Sequence, residues 1–463
     1  MLGLYPTWFE PGVGSGWVIA LIATIHVLFS HASVGSALLF AWLARRAVTH
    51  NRPEYFTFIR HYGLFLLIFS YVLGSVTGPG IWFSATIANP RGLSALIHNF
   101  VWLWATEWVF FLIEIVGVYL LVYLAGRVAQ ETYLRLTTIF ALSSVSTLLV
   151  ITGVLSFMLA PGSQSWFETG SVMQAFFGPN TLAQVFVRLF FMLTITGVVG
   201  GIVAAGITDM AEKASVTRAL SVVGAFGTIA GAACFWWYMQ TLPALSDLII
   251  TTRIPDHFVT MMAAATIGSL AYFAVMAAAP SLMKASIAAV ATVAILVVGL
   301  APEEMAREII RKPWVAGQFI YSNQLIGRDV PGLGLKSEMP KVAEKGILAQ
   351  HPFVPENLRT VTDENRVEAG RALALTMCSG CHSLTPTGMR PLKNFFAADA
   401  KKTDIAEYLG AGLYRGHTMY MPPLPLPALE RDALAAYIEA SITAADPAAL
   451  ASKGAAALKG ETK

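Results

Sequence analysis

Eight apolar runs dominate this chain, at roughly residues 15–44, 60–86, 98–125, 135–160, 182–207, 217–241, 257–279 and 282–301. Each is long enough to cross a hydrocarbon layer as a helix, which takes roughly 20 apolar residues. Inside lipid the backbone must satisfy its own hydrogen bonds, so eight such runs predict a polytopic helical bundle. With 56% hydrophobic and 13% charged residues and a mean hydropathy of +0.61, the chain lies outside the usual soluble range. A net charge of +3 gives no reason to invoke nucleic acid. The first run is too long for a cleavable signal and is expected to act as an uncleaved anchor.

Loop charge sets the orientation. With the N-terminus outside, the inner connections hold Arg45, Arg46, Arg52, Arg60, Arg127, Arg135, Lys213, Arg218 and Lys284, and the outer ones only Arg91 and Arg253. That bias predicts N-out, and eight spans return the chain to the outside near Pro302.

The stretch beyond is different in kind. "PEEMAREIIRKPWVAGQF" reads as too charged to cross a membrane, and a linker at 315–359 leads to a compact domain at 360–445 and a flexible tail at 446–463. The compact domain holds "TMCSGCHSL", in which Cys378, Cys381 and His382 form Cys-x-x-Cys-His. In that pattern two thiols bond to the haem vinyl groups and the adjacent imidazole becomes an iron ligand. "ENRVEAGRALALTM" reads as a helix leading in, and "MYMPPLPLPALERDALAAYIEAS" supplies a methionine, prolines and a closing helix, as in class I cytochrome c domains. Met421 is the favoured second iron ligand, with Met419 and His417 as the other candidates. A zinc site would need a further Cys–His pair, which the neighbourhood lacks. Covalent c-type attachment in bacteria occurs outside the cytoplasmic membrane, which agrees with the topology from loop charge. Cys234, alone in "GAACFWWYM", reads as a packing residue.

Ionisable groups within spans are costly and therefore point to function. His26 and His31 lie in the first run, five apart and so on different faces of one helix. Glu107 and Glu114 lie in the third, seven apart and so on one face, about 10 Å apart along the axis. His26 and Glu107 are about ten residues from the outer ends of their helices, some 15 Å in. Glu114 is deeper, and Glu308 and Arg311 stand at the outer end of the eighth helix. A cofactor in the outer half could meet His26, Glu107 and Glu308. His31 reads equally well as a hydrogen-bonded polar residue, and His61 and His98 as interfacial. "GSVTGPGIWFS" would admit close approach to a flat ligand or close helix packing.

Together these residues resemble subunit I of the cytochrome bd-type oxygen reductases. "EIIRKPW" is similar to that family's Glu-x-x-Arg-x-Pro-Trp motif, and the first-helix His, the "GSVTGPGIWF" run and the acidic third helix recur there in the same order. The resemblance covers about residues 1–320. It implies about two membrane haems, of b or d type: His26 on the oxygen-binding haem, Glu308 on a neighbouring haem b, and Arg311 at propionates or charge. It also implies one Glu of the pair near the haems and the other, Glu114 by depth, on the proton route, although the spacing differs by one residue from the family pattern. The family pairs two such bundles, which implies a second membrane subunit or a homodimer partner.

Two departures stand out. The family's quinol-oxidising members carry a long hydrophilic loop between helices six and seven, where this chain has only about Thr241 to Asp256. They also hold a low-spin haem b through a fifth-helix His and a seventh-helix Met. Here "NTLAQVFVRLFFM" offers Arg188, and only Met261, Met262 or His257 could supply a partner. A haem c on the outer side would replace the lost electron entrance. The expectation is an all-α bacterial inner-membrane oxidase that takes electrons through its own haem c from a soluble cytochrome c or similar periplasmic donor. It would reduce O2 to water with cytoplasmic protons. The second reading is a non-catalytic relay between a membrane donor and a periplasmic acceptor. The third is a haem-anchored transporter or sensor.

Overall fold

The structure, a computed structural model, describes residues 1–10 and 12–444. The flexible tail expected at 446–463 lies outside the described residues. Among the described residues, eight helices are long and apolar enough to span a membrane: α1 Ser15–Thr49, α2 Glu54–Ala88, α3 Pro90–Leu124, α4 Gln130–Leu159, α5 Pro179–Ala204, α6 Met210–Gln240, α7 Asp256–Ala278 and α8 Ala285–Ile310. The number matches the sequence reading; six of the spans start earlier than expected, and the first, second and eighth also end later. "PEEMAREII" does not leave the helix: α8 runs on to Ile310, because Glu304 pairs with Arg188 and Arg307 and so is not left as a bare charge.

Two spans change their winding. Leu67–Val72 in α2 and Ile295–Leu300 in α8 are π-helical turns, a form that turns a local stretch of side chains onto a new face. α3 and α7 leave most of their apolar surface uncovered, whereas α5 is largely enclosed.

One end of the bundle is capped by the chain's own connections. β1 Trp314–Ala316 pairs antiparallel with β2 Ile320–Tyr321, and the Trp314 and Tyr321 rings stack with centroids 4.0 Å apart. Residues 315–359 are a packed connector, with Phe319, Leu325, Val330, Val342, Ile347 and Leu348 buried. Arg91, at the start of α3, grips Glu338 of this connector through two hydrogen bonds of 2.8 and 3.1 Å. Leu2 and Leu4 are buried in the same core as the connector and the C-terminal helices. The N-terminus and that domain therefore share one end of the bundle.

Beyond the connector are α9 Arg366–Met377, α10 Lys402–Tyr408 and α11 Ala428–Thr443. α9 crosses α11 at Gly370, where any Cβ would collide with the Ala433 carbonyl, so glycine is required for the approach. The Glu430 carboxylate, at the start of α11, accepts from the Ile347 and Leu348 amides at 2.7 and 2.8 Å and fastens the domain to the connector.

Candidate functional site

The loop Cys378–His382 follows α9 directly and lines a cavity of about 870 Å³, counting its open mouth. Leu392, Phe395, Phe396, Tyr408, Leu413 and Leu434 give it largely apolar walls, and Met421 lies on the same wall set as His382. Met419 points outward at 43% exposure, and His417 lines a different, more open concavity, so neither shares the cavity.

The His382 ring is fixed by two contacts. Its Nδ1 lies 3.3 Å from the Arg390 carbonyl, and Phe395 meets it edge-on at 4.7 Å between centroids. A carbonyl only accepts, so Nδ1 carries the hydrogen and Nε2 keeps its lone pair for a metal. Burial, then the Arg390 charge, pushes this imidazole down to about 4, which keeps it neutral. Burial drives the Cys378 thiol up to about 12. It acts on Cys381 too, but the Lys312 ammonium, the Ser322 hydroxyl and Arg390 outweigh it and bring that thiol below its ordinary value. An apolar cradle, two thiols at its edge and one imidazole with a free Nε2 fit a covalently held haem. Among the described residues, no group of three His, Cys, Asp or Glu comes together to hold a bare ion.

Inside the bundle, His26 is held by the same logic. Its Nδ1 is 3.0 Å from the Thr77 hydroxyl, and that hydroxyl donates to the Leu73 carbonyl at 2.9 Å. The single hydroxyl hydrogen is thus spent, Nδ1–H donates to Thr77, and Nε2 is left free. Gly78 makes this possible, since a Cβ there would sit 3.3 Å from the imidazole Cε1. His26 therefore suits a metal held by a macrocycle. His31 faces elsewhere: it is buried, its Nδ1 has no hydrogen-bond partner, and Arg188 is among its electrostatic neighbours.

Glu114 is buried and accepts from Thr147 at 2.5 Å. The Tyr71 hydroxyl faces the same carboxylate and itself accepts from Ser33 at 2.7 Å. Ser33 is seven residues after His26, so it lies on the same face of α1 about 10 Å further in. Sequence reasoning missed Ser33, Tyr71 and Thr147. Ser33's heptad spacing from His26 was the available signal; Tyr71 depends on the π turn. Glu107 is half-buried on the uncovered side of α3 and is not joined to His26 by any hydrogen bond in the structure.

Glu308, expected at a membrane haem, faces two cations: its carboxylate pairs with Arg311 on one oxygen and with Lys312 at 2.5 Å on the other. Arg311 also reaches Met158 Sδ at 3.6 Å. Arg188, in the fifth span, is buried and pairs with Glu304 at 3.6 Å. His257 is exposed, and Met261 and Met262 are only half-buried.

The fold itself has a solved counterpart. The structure of bd oxidase from Geobacillus thermodenitrificans matches with a TM-score of 0.53 at 16% identity, covering 71% of this chain and 92% of that one. The membrane bundle has the bd-oxidase fold. No family model and no curated protein matches the sequence. Within the bd fold, the short α6–α7 connection carries the helix Ala244–Arg253, and Arg253 comes within 5.9 Å of the Tyr420 ring beside Met421. The Cys378–His382 cavity thus borders the α6–α7 connection.

Proposed function

We propose that this chain is a respiratory membrane oxidoreductase of the bd type that receives electrons through a c-type haem held by Cys378, Cys381, His382 and Met421. It would deliver them to a haem centre at His26, where O2 is reduced. One observation carries the reading. The haem-attachment loop rests on the head of the helix that bears His26, since a Cβ at Gly16 would be 3.4 Å from the Gly380 carbonyl. Ten helical residues separate Gly16 from His26, a descent of about 15 Å. When bound, haem held by these residues would supply one-electron redox chemistry.

The protein's own groups then have separable duties. His382 and His26 present Nε2, each with Nδ1 locked. Glu114, with Tyr71, Ser33 and Thr147, offers a hydrogen-bonded line leading toward His26, suited to carrying protons from the cytoplasmic side. Arg188 and Glu304 fill the position at which a low-spin haem would need its fifth-span His, so the membrane part would hold about two haems at most. The haem c domain would face the periplasm and accept electrons from a soluble donor such as a cytochrome c. The uncovered faces of α3 and α7 would be covered by a second membrane subunit or another copy.

The relay reading is favoured by the ion pairs of Glu308 with Arg311 and Lys312. The deciding measurement is oxygen uptake by the purified protein with reduced cytochrome c, alongside a reduced-minus-oxidised spectrum with and without carbon monoxide. Uptake inhibited by cyanide, with a CO-reactive membrane haem, is expected. A reducible c-type spectrum with no CO response and no uptake would sink the oxidase reading in favour of the relay.

A further inference from the structure

Lys312 is placed where two otherwise separate sites meet. It is the second residue after α8, only 8% exposed, and it lines the haem-binding cavity beside Cys381 and Ser322. Its ammonium nitrogen lies 3.6 Å from Cys381 Sγ and 2.5 Å from Glu308 Oε1. A buried ammonium needs a carboxylate partner, and Glu308 supplies it from exactly one helical turn earlier, at i,i+4. The connector holds this position from the other side, since the Ser322 amide donates to the Pro313 carbonyl at 2.9 Å. Lysine is also long enough to lie along the apolar wall while its charged end reaches both groups.

We propose that Lys312 is a positioning residue that ties the Cys381 edge of the haem cradle to Glu308 at the head of α8, so that charge at either site is felt at the other. The inference rests on the reading that Cys378–His382 holds a c-type haem. It gives the Glu308 carboxylate a partner on the side of the C-terminal domain. A cation this close to the haem edge favours the reduced form, because oxidation adds a positive charge next to the ammonium. Replacing Lys312 by a neutral residue must therefore make haem c harder to reduce, and neutralising Glu308 must make it easier.

The test is an anaerobic redox titration of the c-type band in the full-length, detergent-solubilised protein, with covalent haem quantified in each variant. Lys312→Met is expected to lower the reduced-to-oxidised ratio at a fixed potential by about threefold or more. Lys312→Arg should stay within about twofold of the unaltered protein, and Glu308→Gln should raise the ratio by about twofold. An unchanged ratio in Lys312→Met with its haem intact overturns the proposal. So does Lys312→Arg falling as far as Lys312→Met, which would mark lost shape and not lost charge. Should Lys312→Met fail to retain haem, Glu308→Gln decides, and an unchanged ratio there overturns the proposal. No oxygen enters the cell, so absent oxygen uptake would sink the oxidase reading while leaving this result standing. Absence of covalent haem from the unaltered protein would sink both.

Discussion

The Lys312 ammonium stands 3.6 Å from the sulfur of Cys381, a residue 69 positions later in the chain. This contact joins the end of the membrane bundle to the rim of the cavity lined by Cys378, Cys381 and His382. It makes the two parts adjoining halves of one device and not a bundle with a tethered passenger. The packed connector and the Arg91–Glu338 pair hold the same junction from the side.

The His26 arrangement predicts a graded pair of phenotypes. His26→Ala should remove the CO-reactive membrane signal while leaving the c-type band intact. Thr77→Val keeps the imidazole but frees Nδ1, and partners of this kind are worth roughly 10–100-fold in metal affinity or activity. Haem content and CO binding measured across both variants check the order. An unchanged CO signal in His26→Ala rules out a ligand role.

Proton supply can be tested apart from haem binding. Glu114→Gln should cut oxygen uptake by about a hundredfold or more if the carboxyl relays protons, with spectra unchanged. Tyr71→Phe should cost less, since Thr147 still holds the carboxylate at 2.5 Å. Turnover and spectra on the same preparations separate a relay defect from misfolding.

Met421 and Met419 are two residues apart yet face different surroundings. Met421→Ala should open the iron of haem c, so that the reduced c-type band becomes CO-reactive. Met419→Ala should leave it closed. The same CO difference spectrum reads both.

His351 gives a pH dependence outside the membrane. Burial pushes its imidazole from the ordinary 6.5 down to about 4, and it accepts from the Phe353 amide at 3.2 Å. The unfolded chain takes up a proton below pH 6.5 and the folded one does not until about pH 4. The folded state thus binds fewer protons in that window. Stability is fully present above pH 6.5 and falls as the pH drops toward 4, by up to about 3 kcal/mol. Thermal unfolding of the full-length protein at pH 7 and pH 5 should show a drop that His351→Gln largely removes.

Much of this architecture was legible in the residues. The eight spans followed from apolar length, and the helices on either side of Cys378, Cys381 and His382 from the pattern around them. His26 stood out because an imidazole inside a span needs a reason. Other features depended on tertiary contact. Continuation of α8 through Glu303 and Glu304 required knowing that Arg188, more than a hundred residues earlier, would meet the acid. Tyr71 reaches Glu114 from a π turn, whose change of face the regular helical period conceals. The i,i+3 and i,i+4 spacings allow Arg311 and Lys312 to reach Glu308, but the placing of Lys312 beside Cys381 depends on tertiary contact. The segment 315–359 read as a linker because its Pro, Gly and Lys content resembles a tether. Its apolar residues are buried only because the N-terminal segment and α3 present surfaces to them.

The position of Leu2 and Leu4 bears on how the molecule is assembled. They lie in the core shared with α9 and α11, and Lys341 grips the Met1 carbonyl across 340 residues of chain. The segment holding Leu2 and Leu4 therefore meets its packing partners only after eight spans and the C-terminal helices have followed it. Until then, the C-terminal domain lacks part of its own interior. Completion of that domain becomes a checkpoint on the whole chain: a bundle whose spans had threaded in odd number would leave its two ends on opposite sides of the membrane, unable to close.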